Sequence, residues 1–311
     1  WFDQFEVQWS GRRSDLNNKL YKMNRVILVL FLFFSLTNAF SQEGENDDYR
    51  FWYFQQDSPV YVFVNKAYLR SDADVKSEIV DSLSVGTKLF FKEETKARGV
   101  INGLYAPWIK VSTANNREGY IWAGVLAFAK ITSKDIDFIC GVDRVEKKKI
   151  KGKEVKLKYT IRLKAVTNDS LINFAEWKID ADESARYTEI KLLGNVRLRN
   201  LLDVVRVSFG GEACGVPMNY YYYGLSGKEF FVLPTKYSVG DAGIFYHAET
   251  LLFPNEPGGQ PNKIIKVIEE EEVLEEATET KKEKIKKSNS KEVYVWDGYK
   301  AILQKINKNG R

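Results

Sequence analysis

Leu69-Arg70-Ser71-Asp72-Ala73-Asp74 opens a series of short apolar pieces that fills the chain from Tyr61 to Phe128. Ser77-Glu78-Ile79-Val80 follows, then Leu83, the turn Val85-Gly86, and Leu89-Phe90-Phe91. Trp108-Ile109-Lys110-Val111 and Glu118-Gly119-Tyr120-Ile121-Trp122 complete it. Pieces of a few residues, rich in Val, Ile and aromatics and separated by Gly, Asn and Asp, are the pattern of a small antiparallel barrel. Gly86 and Gly119 stand where tight turns would need a positive φ.

The order of these motifs resembles the bacterial SH3 domain family: a Leu-Arg-Ser opening, a Val-Gly before a strand, a Trp-x-Lys-Val strand and a Gly-Tyr-Ile before the last turn. The resemblance covers residues 59–130. It implies an SH3-like barrel that binds cell-wall peptide or another envelope ligand through grooves between its loops. Tyr68, Trp108, Tyr120 and Trp122 are the aromatic candidates for such a groove, because rigid amphipathic rings contribute contact area at low entropic cost. Each competes with a core role, Trp108 most strongly.

Upstream, Met23-Asn24-Arg25 and the apolar run Val26–Leu36 end at Ala39 and Ser41, spaced as a signal-peptidase site before Gln42. The run is shorter than the roughly 20 residues of a membrane span. The expectation is an exported protein with no stable membrane span once a signal at 23–41 is removed. Residues 1–22 then read as non-native upstream sequence and 42–58 as a lead-in. The whole chain has a net charge of +5, and +3 remains after Ser41. So weak a field gives no case for a nucleic-acid partner.

From residue 131 to 311 the pattern is of a larger, mostly antiparallel β domain. Ile136–Cys140, Val155–Ile161 and Ile190–Leu193 read as strands. Tyr220–Tyr223 and Phe230–Leu233 read as a hairpin, and Asp297-Gly298 as a type I′ turn after Val293–Trp296. Leu198, Leu201, Leu202 and Val205 have the spacing of one short helix, against the β-branched Val204, Val205 and Val207. Phe51–Phe54 reads as a strand tying the two halves together. An acidic block followed by a basic block over 269–291 reads as a solvated helix or loop inserted in the β domain. This half is similar to uncharacterised regions beside bacterial SH3 domains in exported Bacteroidetes-type proteins, a similarity that implies no activity.

Cys140 and Cys214 are an even pair in an oxidising compartment, open to a disulfide or to two separate thiols. His247 is the single histidine, and no close Cys or His pair has the spacing of a structural zinc site. Bacterial SH3 domains often accompany cell-wall endopeptidases, so Cys214 with His247 is the catalytic alternative. Cys214 lies between Ala213 and Gly215, not at a helix start that would lower its thiol pKa. No phosphate-cradling or dinucleotide motif occurs, and no cofactor is implied. The sequence therefore favours a mainly β, non-catalytic binding protein, with a structural role in the envelope as a further alternative.

Overall fold

The computed structural model describes residues 51–151, 153–181, 188–211, 214–241, 244–275, 281 and 283–304. The leader, its processing site and most of the lead-in lie outside the described residues. Within them the chain is almost entirely antiparallel strand, with no α-helix. No helix among these residues is long and apolar enough to cross a membrane.

The first six strands are β1 (Pro59–Tyr61), β2 (Lys66–Arg70), β3 (Ile79–Ser84), β4 (Lys88–Ile101), β5 (Leu104–Thr113) and β6 (Glu118–Trp122). They pair in the order β1-β4-β5-β6-β2-β3, a sheet curled into a half-barrel. Its interior is filled by Leu69, Leu89, Ile109, Val111 and Ile121, each about 1% exposed or less. Arg70 fixes the turn after β2 by donating to the Ser77 carbonyl at 2.6 Å, while the Ser77 hydroxyl donates to the Asp74 carbonyl at 2.8 Å. Gly86 has the expected positive φ, at +84°. Gly119 does not. It lies within β6, where a Cβ would stand 2.6 Å from Leu69 Cγ and 2.8 Å from the Arg70 carbonyl oxygen. Close strand approach, not turn geometry, is what requires glycine there.

A second sheet is a meander of β7 (Ala129–Ser133), β8 (Ile136–Ile150), β9 (Lys153–Thr167) and β10 (Ser170–Asp180). Asn168 and Asp169, both at positive φ, make the two-residue connection between β9 and β10, and such residues tolerate this conformation best after glycine. The third sheet holds β11 (Glu189–Leu192), β12 (Asp203–Phe209), β13 (Met218–Ser226), β14 (Glu229–Val232), β15 (Lys236–Asp241), β16 (Phe245–Leu252), β17 (Lys263–Glu275), β18 (Lys284–Trp296) and β19 (Ala301–Leu303). The main core does not stop at residue 130. It runs from Trp108 and Leu126 through Phe138, Cys140, Tyr159 and Ile161 to Val205 and Phe209.

Several expectations are corrected. The leucine spacing at 198–205 makes no helix: Val196, Arg197 and Asn200 have positive φ, and the chain enters β12 at Asp203. There the β-branched valines prevail, while Leu198 and Leu201 fill a second core around Trp296. Phe51–Phe54 forms no strand, yet it does tie the halves together. Phe51 packs its ring 5.6 Å from Phe128 and 5.1 Å from Tyr159, and the Trp52 indole donates to the Leu126 carbonyl. At Asp297-Gly298 the hairpin forms, but Trp296 pairs with Ala301, so four residues make the turn.

Over Glu269–Glu275 and Lys284–Lys291 the charged stretch is neither helix nor loop. It is the outer half of the β17–β18 hairpin, where Glu271 faces Lys287, Glu272 faces Lys286 and Glu275 faces Lys284. Glu271 and Lys287 are paired at 2.6 Å. Opposite charges across an exposed ladder each contribute a fraction of a kcal/mol, roughly 0.2–1. Glu276, Glu279 and Lys282 lie outside the described residues. The cysteines are not bridged: Cys140 is buried within β8, and Cys214 is exposed in the turn before β13. Their separate settings leave two free thiols, and burial pushes the Cys140 thiol well up.

Candidate ligand cleft

Alternation along β8 and β9 divides their sheet into two faces. Cys140 pairs with Leu163 on one, Ile139 with Lys164 and Gly141 with Arg162 on the other. The half-barrel sits on this second face through Phe63, whose side chain belongs to a small core with Val85, Ala127, Ile139 and Val166. Gly141 makes the seat, because a Cβ there would stand 2.5 Å from Phe63 Cγ. Beside this contact the two sheets part, leaving a cleft of about 450 Å³. Its walls include Phe63, Leu104, Trp122 and Val142, and its polar groups include Asn65, Lys66, Asp143, Arg144, Arg162 and Lys164.

Four charged groups on the sheet side close into a ring. Arg162 pairs with Asp143 at 2.6 Å and with Glu176 at 2.8 Å. Arg144 pairs with the same two acids, at 2.7 and 2.8 Å. The hydrogen bond from Arg144 holds the Glu176 carboxyl below the usual carboxylate range. Two guanidinium groups and two carboxylates leave this ring with no net charge.

Lys164 is different. It is 5% exposed, and its ammonium donates to two neutral acceptors, the Phe63 carbonyl at 2.8 Å and Asn65 Oδ1 at 3.4 Å. The same group lies 4.4 Å from the centre of the Phe63 ring. Among the described residues no carboxylate pairs with it. Burial, with Arg162 adding to it, lowers its pKa to about 8. A base whose folded pKa is depressed binds fewer protons folded than unfolded between the two values. Stability contributed at this site therefore rises as pH climbs from about 8 toward 10.5. Urea titrations of the native protein and Lys164→Met should show the gap between them shifting in favour of the native protein across that window. A constant gap would contradict the depressed pKa.

The four aromatic candidates do not meet in one groove. Tyr68 is 38% exposed, and it shares a strand face with Arg70, which stands opposite half-buried Tyr120. This pair decorates the outer face of β2 and β6. Trp108 is a core residue, 4% exposed, set opposite Trp122 in the ladder. Trp122 is also buried, and its indole donates to the carbonyls of Gly99 at 3.2 Å and Ala106 at 3.1 Å. Of the four, it alone borders the cleft.

His247 lies on β16, stacked on Tyr237 with ring centroids 4.2 Å apart. Its Nδ1 is 3.1 Å from Glu270 and its Nε2 is 3.5 Å from Glu249. Among the described residues Nδ1 has Glu270 as its hydrogen-bond partner and Nε2 has none, so neither nitrogen is bonded to Cys214. Sequence reasoning missed Phe63, Asn65, Arg162 and Lys164. One signal was available: a glycine beside an apolar strand residue, Cys140-Gly141, marks the close approach of another element.

Residues 65–127 match the family model described as Bacterial SH3 domain. The match ends where the half-barrel meets the second sheet, so the cleft is built partly from the domain and partly from β8 and β9. No curated protein and no solved structure matches the chain.

Proposed function

We propose that this chain is an exported binding protein that holds cell-wall peptide in the cleft between its bacterial SH3 domain and the second sheet, without cutting it. The observation that carries this reading is the cleft itself. It is a concavity of about 450 Å³, within the range of roughly 300–1,000 Å³ usual for ligand sites, with apolar walls and a few convergent polar groups. Bacterial SH3 domains occur in cell-wall-binding and envelope proteins, which supports the ligand class. The signal-like pattern at 23–41 supports export.

A second reading, assembly onto another envelope protein, is favoured by one patch. Ile244, Phe245, Tyr246 and Ile285 expose 55, 38, 47 and 38% of their surface where β16 meets the β17–β18 hairpin. Co-sedimentation of the full chain with purified peptidoglycan, followed by analysis of the supernatant for released fragments, separates the readings. Retention without release is expected. Release that disappears in Cys214→Ser would establish the peptidase instead, and failure to sediment would overturn the wall-binding reading in favour of assembly.

A further inference from the structure

We propose that Lys164 is an anion anchor and that the cleft takes a ligand bearing a free carboxylate, as a short peptide or acyl acid does. The inference deepens the binding reading and rests on it for the place of the site.

An ammonium has three N–H donors, and two of those on Lys164 are met by neutral oxygens of Phe63 and Asn65. A structural role alone would be served by a neutral donor such as a glutamine amide, without the desolvation cost of a buried charge. The arginines beside it are already neutralised by Asp143 and Glu176. Lys164 is thus the buried positive charge in the cleft that lacks a counter-ion among the described residues. Lys66 adds a second, exposed, at the same cleft.

The chemistry of the site favours a carboxylate over a phosphate. One buried ammonium, set beside a ring of paired charges with no net charge, matches one negative charge. The walls of Phe63, Leu104, Trp122 and Val142 suit the short apolar stem that carries a peptide carboxylate. In the family-matched segment, Asn65 and Lys66 supply one side of the site, while Lys164 comes from outside that segment.

The test uses the full chain carrying lysine labelled with ¹³C at Cε, with the Lys164 signal identified by its loss in Lys164→Met. Lys164→Gln serves as a second assignment variant should the first fail to fold. The pH midpoint of that signal is followed with N-acetyl-alanyl-alanine, with its C-terminal amide, and with inorganic phosphate. The acid is expected to raise the midpoint from about 8 by about 1–3 pH units, as an opposite charge at contact distance does, and the amide to leave it in place. No movement at the solubility limit of the acid, equal movement with the amide, or movement with phosphate and not the acid would each overturn the proposal. The two readings fail separately. A response to the dipeptide acid in a protein that does not sediment with peptidoglycan keeps the anchor and removes the cell-wall ligand. Sedimentation with an unresponsive Lys164 removes the anchor and keeps the wall-binding role.

Discussion

Phe63→Ala is expected to lower the stability of the whole described unit by about 3–5 kcal/mol, the range for deleting a buried aromatic ring. The ring is 1% exposed and stands on Gly141 of β8. It also lies under the Lys164 ammonium, whose hydrogen bond its own carbonyl accepts. Loss of the ring opens a cavity at the junction of half-barrel and second sheet, and it removes the wall of the cleft. The converse substitution, Gly141→Ala, drives a methyl group into the same ring and is expected to cost about 1–3 kcal/mol by overpacking. Urea unfolding followed by circular dichroism and by tryptophan fluorescence measures both. Because the main core is continuous from Trp108 to Phe209, the two signals should change together. A Phe63→Ala loss below about 1 kcal/mol, or a separate barrel transition in the native protein, would contradict this junction.

Trp108→Ala is expected to cost a similar amount, about 3–5 kcal/mol, since its indole is 4% exposed in that core. Trp122→Ala joins it, for the ring is 6% exposed and holds two carbonyls through its Nε1. Tyr68→Ala belongs to another class. At 38% exposure it should alter stability by no more than about 0.5 kcal/mol. Tyr68 does not border the cleft, so Tyr68→Ala should leave ligand affinity unchanged. A loss of about 1–2 kcal/mol, as for an aromatic contact that matters, would place the ligand on the outer face instead. Equal destabilisation by Tyr68→Ala and Trp108→Ala would show that the division between outer face and core is wrong.

The half-barrel was legible because its signals are local. Turn chemistry at Asp72–Ser77 and Gly86 and the two-residue alternation of β2 and β6 are properties of adjacent residues. The charged ladder of β17 and β18 was not read, although its pairing was implicit: an acidic block followed by a basic block will pair when two successive strands run antiparallel. Single-strand pattern reading treats such blocks as solvated, because it scores each segment without its partner. The leucine spacing at 198–205 misled for a related reason. A period of three and four does not exclude a loop that buries Leu198 and Leu201 against strands distant in sequence.

The cleft was the least legible part. Arg162 and Lys164 occupy the polar positions of an alternating strand, which ordinarily face water. They face the half-barrel instead because Gly141, across the ladder, admits Phe63 from 78 residues earlier in the chain. Nothing within the β9 sequence states that its polar face is covered. The same long-range contact makes Lys164 a buried ammonium, while the indole of Trp122 is drawn inward by the carbonyls of Gly99 and Ala106, away from exposed Tyr68.

Hydrogen–deuterium exchange of the full chain, with and without muramidase-solubilised peptidoglycan fragments, tests most directly whether the cleft is the binding site. Bound fragments should slow exchange at Phe63–Lys66, at the turn between β4 and β5, and along Val142–Arg144 and Arg162–Lys164, while β16 to β18 exchange as before. Protection confined to the outer face around Tyr68 and Tyr120, or to the β17–β18 hairpin, or absent at saturating fragment, would contradict it.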